Sequence, residues 1–195
     1  ELAPLSRLPE VALAAEFGVS RPKLRDAFAI LEERGLIERQ RHLGAVVARP
    51  GPDKVVELFD LREVLEGLAV RLATQNSKPA DWEEFARLFD TKARAAIAAD
   101  DPAEYARCVT MFRGRCIEFA RSETLAQVLD GLYDRVSVLI RRVSLLPGRA
   151  EEGLEQHLAV LAAMQAGDAE GAEKLKCRNI RSAKEWFLKH RRLLI

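Results

Sequence analysis

The sequence predicts a mainly α-helical fold in two parts: a short N-terminal unit with a small β-wing, then an all-helical antiparallel bundle of about six helices. Apolar residues recur at helical spacing along most of the chain, whereas β-like runs occur only before residue 50. Between the two patterns lies Arg49-Pro50-Gly51-Pro52-Asp53, whose prolines around a glycine can neither continue a helix nor join a ladder. The expected division is 1–50 for the first unit, 51–53 for a linker and 54–195 for the second unit.

In the first unit, residues 8–17 read as a short helix with Leu8, Ala12 and Ala15 on one side, and Gly18 supplies the turn. Ser20 is a natural N-cap for a second helix, and Pro22 falls in its first turn, where a missing N–H costs nothing. Leu24, Ala27, Phe28 and Leu31 make that helix's apolar stripe, and Gly35 ends it. Residues 36–39 and 45–48 read as two strands around a polar tip, 40–44. After the linker, residues 55–73 carry apolar positions at Val56, Phe59, Leu61, Val64, Leu65, Leu68 and Leu72. Further helices are expected over 82–99, 102–121, 124–146, 149–166 and 168–190, each with a stripe of 3.6-residue period.

Composition excludes several classes. At 195 residues and 48% hydrophobic, the chain can build a core. It has no apolar run long enough for a membrane span and no secretory signal, so a cytoplasmic protein away from the membrane is expected. It opens on Glu1 rather than Met, so an upstream segment is expected to have been removed or left out. Cys108, Cys116 and Cys177 are an odd set without C-x-x-C spacing and read as reduced, half-buried thiols. There is no Gly-rich phosphate loop and no nucleophile elbow, and the three histidines stand far apart, so an enzyme is not expected. The net charge of +1 leaves the distribution of charge as the informative quantity.

That distribution points to nucleic acid. Helix, glycine turn, capped second helix and β-wing, in this order, are the parts of a winged helix-turn-helix. With Leu24, Phe28 and Leu31 facing the core, Arg21 and Arg25 project from the opposite side of the first turn, flanked by Lys23. A helix N-terminus entering the major groove of double-stranded DNA needs such long donors, guanidinium forks for guanine edges or phosphates and an ammonium for phosphate. Arg39, Arg41 and His42 crowd the wing tip, where a hairpin reaches the DNA backbone or minor groove. The competing reading, a helical hairpin with solvated charges, does not account for the ordered set of parts.

Phe17-Gly18-Val19-Ser20-Arg21-Pro22-Lys23-Leu24-Arg25-Asp26-Ala27, followed by Leu31-Glu32-Glu33-Arg34-Gly35-Leu36-Ile37 and Gly44-Ala45-Val46-Val47, resembles the GntR family of bacterial regulators in a single register. The resemblance implies operator contacts by Ser20, Arg21 and Arg25, with the wing around His42 and Gly44 approaching the groove. It also implies one more helix ahead of Leu2-Ala3-Pro4, so the first helix of this domain is expected to be missing. Leu5 stands where a glycine usually follows the proline, and Val11 where some relatives carry a DNA-contacting arginine.

The second unit is similar to the FadR-type C-terminal domain, FCD, through Leu61-Arg62-Glu63-Val64-Leu65-Glu66-Gly67-Leu68-Ala69 and through His157-Leu158-Ala159-Val160-Leu161 leading into Gly167-Asp168-Ala169. That resemblance implies a bundle around a small-molecule pocket, where many members hold a divalent metal through an Asp-x-x-x-His pair and two later histidines. The matching positions are Val109, Arg113, His157 and Asn179, of which only His157 is a good ligand. Cys116, one turn beyond Arg113, would bring the set only to two, so neither metal nor other cofactor is expected. In the ion's place Arg113 is expected to take the carboxylate or phosphate of an anionic effector. His157 and Asn179 would orient the polar remainder, and Arg135 or Arg142 would give a second anchor. The alternative is that Arg113 pairs with a buried acid in a vestigial pocket, since a buried cation needs an anion of one kind or the other.

The expected function is a DNA-binding transcriptional regulator, a repressor by the family's commoner sign, reading palindromic operator DNA as a homodimer. A small organic anion would shift the bundle and lower operator affinity. The alternative is a ligand-independent dimeric DNA-binding protein.

Overall fold

The computed structural model describes residues 2–194, and these form the two predicted parts. The first contains α1 (Glu10–Glu16), α2 (Arg21–Glu33) and an antiparallel hairpin of β1 (Ile37–Gln40) and β2 (Gly44–Val47). Ser20 caps α2 through a long contact, its hydroxyl accepting from the Lys23 amide at 3.4 Å, and Pro22 sits in the first turn. Ile37 faces Val47 and Gln40 faces Gly44, so the hairpin register puts Arg41, His42 and Leu43 at the tip. The segment before α1 adds a third, irregular edge: the Leu5 and Leu8 amides donate to Val47 and Ala45, and Arg7 bridges Val46.

Leu8, Ala14, Leu24, Phe28, Ile37 and Ala45 form the small core of this unit. Two expectations change here. Ala12 and Ala15 are exposed and the inward residue of α1 is Ala14, because the helix starts two residues later than its apolar pattern suggests. Ala27 is likewise exposed, leaving Leu24 and Phe28 as the buried face of α2.

The second part comprises α3 (Pro52–Asn76), a 3-10 turn (Pro79–Trp82), α4 (Glu83–Leu88), a π-helical turn (Phe89–Ala93), α5 (Arg94–Ala98), α6 (Pro102–Ala120), α7 (Glu123–Ser144), α8 (Arg149–Gln165) and α9 (Ala169–Leu194). Pro52 and Asp53, read as linker, instead form the first turn of α3, since proline's fixed φ suits that position. The stretch α4 to α5 follows the helix expected over 82–99, interrupted by the π turn. α3 runs along α9, with α6 and α7 on one side and α8 packed on α9. Trp82, Phe85, Phe89 and Phe112 fill the centre of the largest apolar cluster, and Phe59 stacks on Phe187 in a second. Leu61 and Val64 of α3, expected to be core, are 54% and 67% exposed. Cys108 and Cys116 are buried, Cys177 is half-buried, and all three are free thiols. Among the described residues no helix is long and apolar enough to cross a membrane.

Leu5 adopts a φ of +65°, in the left-handed region that favours glycine. A non-glycine residue there costs roughly 1–2 kcal/mol. Replacing it with glycine recovers that but frees the unfolded chain by about 0.5–1 kcal/mol. Leu5→Gly is therefore expected to stabilise the first unit by about 0.5 kcal/mol, and Leu5→Val to destabilise it, as measured by denaturant titration.

Candidate functional site: a DNA-reading face and a buried cationic cavity

At the start of α2, Arg21, Lys23 and Arg25 are exposed, and among the described residues none of them makes an ion pair or side-chain hydrogen bond. Ser20 stands beside them as the helix cap. At the wing tip Arg41, His42 and Gly44 are exposed, with His42 at φ +69° and Gly44 at φ +78° closing a tight turn. Arg39 differs from the rest. Its guanidinium lies 3.2 Å from Glu32 of α2 and 3.8 Å from Glu10 of α1, so it braces the wing against both helices. Arg7, which the sequence reading passed over, is exposed on the strand edge beside the wing.

The second site lies inside the bundle, between α3, α6, α7, α8 and α9, as a cavity of about 50 Å³. It gathers Val109, Arg113, His157 and Asn179, the four positions aligned with the family's metal ligands. It also gathers Arg62, Glu66, Arg149 and Lys176, to which the sequence reading assigned no role. Glu66 is the only carboxylate in the lining. Its two oxygens accept from Arg62 Nε at 2.8 Å and from Lys176 Nζ at 2.9 Å. Burial alone would raise the Glu66 carboxyl, but Arg62, Lys176 and the more distant Arg113 hold it well below the usual range.

Arg113 does not reach a carboxylate; its guanidinium lies over the Tyr133 ring, 3.7 Å from the centroid. Arg149 is buried at the start of α8, with a single long contact from Nη2 to the Asn179 carbonyl at 3.5 Å, and burial lowers its pKa. One nitrogen of Arg62 (Nη1), one of Arg149 (Nη1) and His157 Nε2 are buried without a partner. The signal for Arg149 was Gly153, a glycine in a helix interior. A Cβ there would lie 2.7 Å from the Tyr105 hydroxyl and 2.9 Å from Arg149 Nη1, so only glycine leaves room for both.

The donor set does not fit a metal. Among the described residues no three His, Cys, Asp or Glu side chains cluster, and the lining offers only His157 and a Glu66 already bound by two cations. Cys116 is held as a thiol, its pKa pushed up to about 12 by burial. Asn179 spends its amide on Gln156, donating at 2.8 Å. Arg135 and Arg142, expected as second anchors, lie outside the cavity. Arg135 donates to the Arg34 and Glu33 carbonyls at 2.8 and 3.4 Å, and Arg142 to the Leu194 carbonyl at 3.0 Å. They share the face of α7 that carries Val138 and Leu139 toward the first unit, whereas Ile140, Val143 and Ser144 line the cavity.

Residues 57–182 match the FCD domain, and residues 1–47 match the bacterial regulatory proteins of the gntR family. The chain belongs to the GntR family, with an FCD domain as its second part. It is a DNA-binding transcriptional regulator rather than an enzyme. The regulator is 31% identical over 166 residues to the probable D-xylose utilization operon transcriptional repressor of Paenarthrobacter nicotinovorans, covering 84% of this chain and 71% of that one. It is 27% identical over 192 residues to the putative L-lactate dehydrogenase operon regulatory protein of Escherichia coli, covering 86% and 72%. Among solved structures, Escherichia coli McbR/YncC shares the fold with a TM-score of 0.78 at 23% identity, covering 97% of this chain and 90% of that one. A putative GntR regulator from Rhodococcus sp. RHA1 does so with a TM-score of 0.74 at 23% identity, covering 95% and 88%.

Burial, with Lys176 nearby, pushes the His157 imidazole down to about 3. The unfolded chain takes up that proton below about pH 6.5 while the native protein does not, so stability is full above 6.5 and falls as pH drops toward 3. Between pH 7 and pH 5 this group alone removes about 2 kcal/mol. A His157→Leu protein is expected to show a flatter profile over that interval, measured by denaturant unfolding at each pH.

Proposed function

We propose that the regulator is a homodimeric repressor whose helical domain binds a small organic anion in the cavity, and that occupancy lowers its affinity for operator DNA. Charge carries this reading: Arg62, Arg113, Arg149 and Lys176 face one carboxylate, Glu66. Buried cations without a counter-ion are costly, and an incoming carboxylate or phosphate removes the deficit. A vestigial pocket would have Arg113 paired with a buried acid. Instead Glu66 is taken by Arg62 and Lys176, and Arg113 rests on Tyr133. Repression agrees with the name of the D-xylose operon relative.

DNA reading falls to Arg21, Lys23, Arg25 and Arg41, with Ser20, His42 and Gly44 shaping the approach, and Arg39 acts as a brace. The link between the sites is α7. Ile140, Val143 and Ser144 line the cavity, and earlier on the same helix Arg135 grips the carbonyls that end α2. Asp130 accepts from Arg34 at 2.7 Å, and Asp134 lies 2.8 Å from the same guanidinium as an ion pair off the hydrogen-bond axis. A shift of α7 on binding therefore reaches the far end of the DNA-reading helix. The exposed Leu61 and Val64 favour a second copy on this face of α3.

The test of the anion reading is thermal melting of chelator-treated protein against a panel of small carboxylates. One of them is expected to raise stability with the logarithm of its concentration, by about 2.7 kcal/mol at a hundred times its Kd, and Arg113→Met to lose that response. A panel without effect, or a response that disappears with the metal, contradicts the reading. In operator binding assays Arg21→Ala and Arg25→Ala are each expected to cost about 1–3 kcal/mol. Arg135→Ala is expected to keep the melting response while losing most of the effector's influence on operator affinity.

A further inference from the structure

Arg113 stands between two cavities. With Glu66 and Lys176 it lines both the cavity of about 50 Å³ described above and a smaller one of about 10 Å³. Tyr133 of α7 lines only the smaller one, so a molecule in the larger cavity meets Arg113 and not the ring that Arg113 covers. The guanidinium lies 3.7 Å from the centroid of that buried ring, and a cation over an aromatic face is held more strongly away from water. A space of about 10 Å³ has room for about one water. The guanidinium therefore cannot leave the ring without opening a void, and a close-packed interior closes such a void by moving its lining.

Tyr133 is followed directly by the residues that hold the first unit. Asp134 forms an ion pair with Arg34, and Arg135 donates to the Arg34 and Glu33 carbonyls. The fit at that end is tight: a Cβ on Gly35, whose φ of +70° follows the end of α2, would lie 3.2 Å from Arg135 Nε. Because Tyr133 and Arg135 sit on one unbroken helix, a displacement of the ring also displaces the clamp on α2.

We infer that the Arg113–Tyr133 stack is the switch contact of the regulator. Intact, it holds α7 where Arg135 clamps the end of α2 for DNA reading. A ligand that draws Arg113 off the ring releases the clamp. This rests on the reading above that occupancy lowers operator affinity, and adds the contact through which it does so. Loss of the stack alone, with no ligand, then reproduces the occupied state.

The test is binding of the ligand-free full chain to a duplex that the wild-type protein selects from a random pool. Arg113→Met and Tyr133→Leu are each expected to weaken binding about fivefold or more, while Tyr133→Phe, which keeps a ring under the cation, stays within about twofold of wild type. The double variant Arg113→Met/Tyr133→Leu is expected to bind no more weakly than the weaker single variant, because both changes remove one contact. The Gly35 and Leu36 amides, which bond to the Glu32 and Leu31 carbonyls at the end of α2, give a second readout by hydrogen exchange. They are expected to exchange faster in Arg113→Met and as in wild type in Tyr133→Phe, a comparison that decides the matter even where Tyr133→Leu does not fold. Wild-type affinity and exchange in Arg113→Met, or losses that multiply in the double variant, would overturn the switch. Those results leave the anion reading standing, since the melting response of the wild-type protein tests it alone.

Discussion

The Glu66 carboxylate accepts from Arg62 on its own helix and from Lys176 on α9, and this bridge lies where α3 and α9 run together. Both partners are nearly as deeply buried as the acid. Removing one member of such a bridge leaves an uncompensated buried charge, typically about 3–5 kcal/mol. The bridge joins the two longest helices and occupies the one carboxylate of the lining, so Arg113 and Arg149 make no ion pair inside the cavity, although Glu152 outside it supports the Arg149 charge. The surrounding helices adapt to that surplus: Gly153 gives Arg149 its space, Tyr133 gives Arg113 a π face, and the π turn brings Phe89 onto His157.

The winged unit was legible because its signals are local. A capping serine, a proline in the first turn and glycines with positive φ fix α2 and the hairpin without reference to the rest of the chain. The face of α1 was not, since a seven-residue helix with five apolar or small residues has no single clear stripe. The ion pairs of Arg39 were hidden because Glu32 and Glu10 lie seven and twenty-nine residues away. In the bundle, the resemblance placed Val109, Arg113, His157 and Asn179 together, and the structure brings all four to one cavity. Arg62, Glu66, Arg149 and Lys176 come from three helices and meet only through tertiary packing. Arg135 and Arg142 were assigned one helical step from the cavity face, an error that spacing on a single helix could not reveal.

The two parts of the chain meet through polar pins rather than a filled apolar seam. Arg135 holds the end of α2, and Arg34 faces Asp130 and Asp134. Beside these contacts the space between Leu36, Ile37, Val138 and Leu139 remains a cavity of about 370 Å³. Hydrogen bonds to exposed carbonyls exchange readily with water, so such a junction re-orients at lower cost than a packed core. A firm bundle thus adjoins a loosely filled junction at the end of α2.

The lining of the cavity sets four cationic side chains against one carboxylate. The most direct test is the ligand-free stability of Arg149→Met, which replaces a buried cation with an apolar side chain of similar length. If Arg149 awaits an external anion, the unliganded variant unfolds at the same or a higher denaturant concentration than wild type. If Arg149 is already neutralised within the fold, the variant loses about 3 kcal/mol or more, and the cavity has no charge left for an external anion.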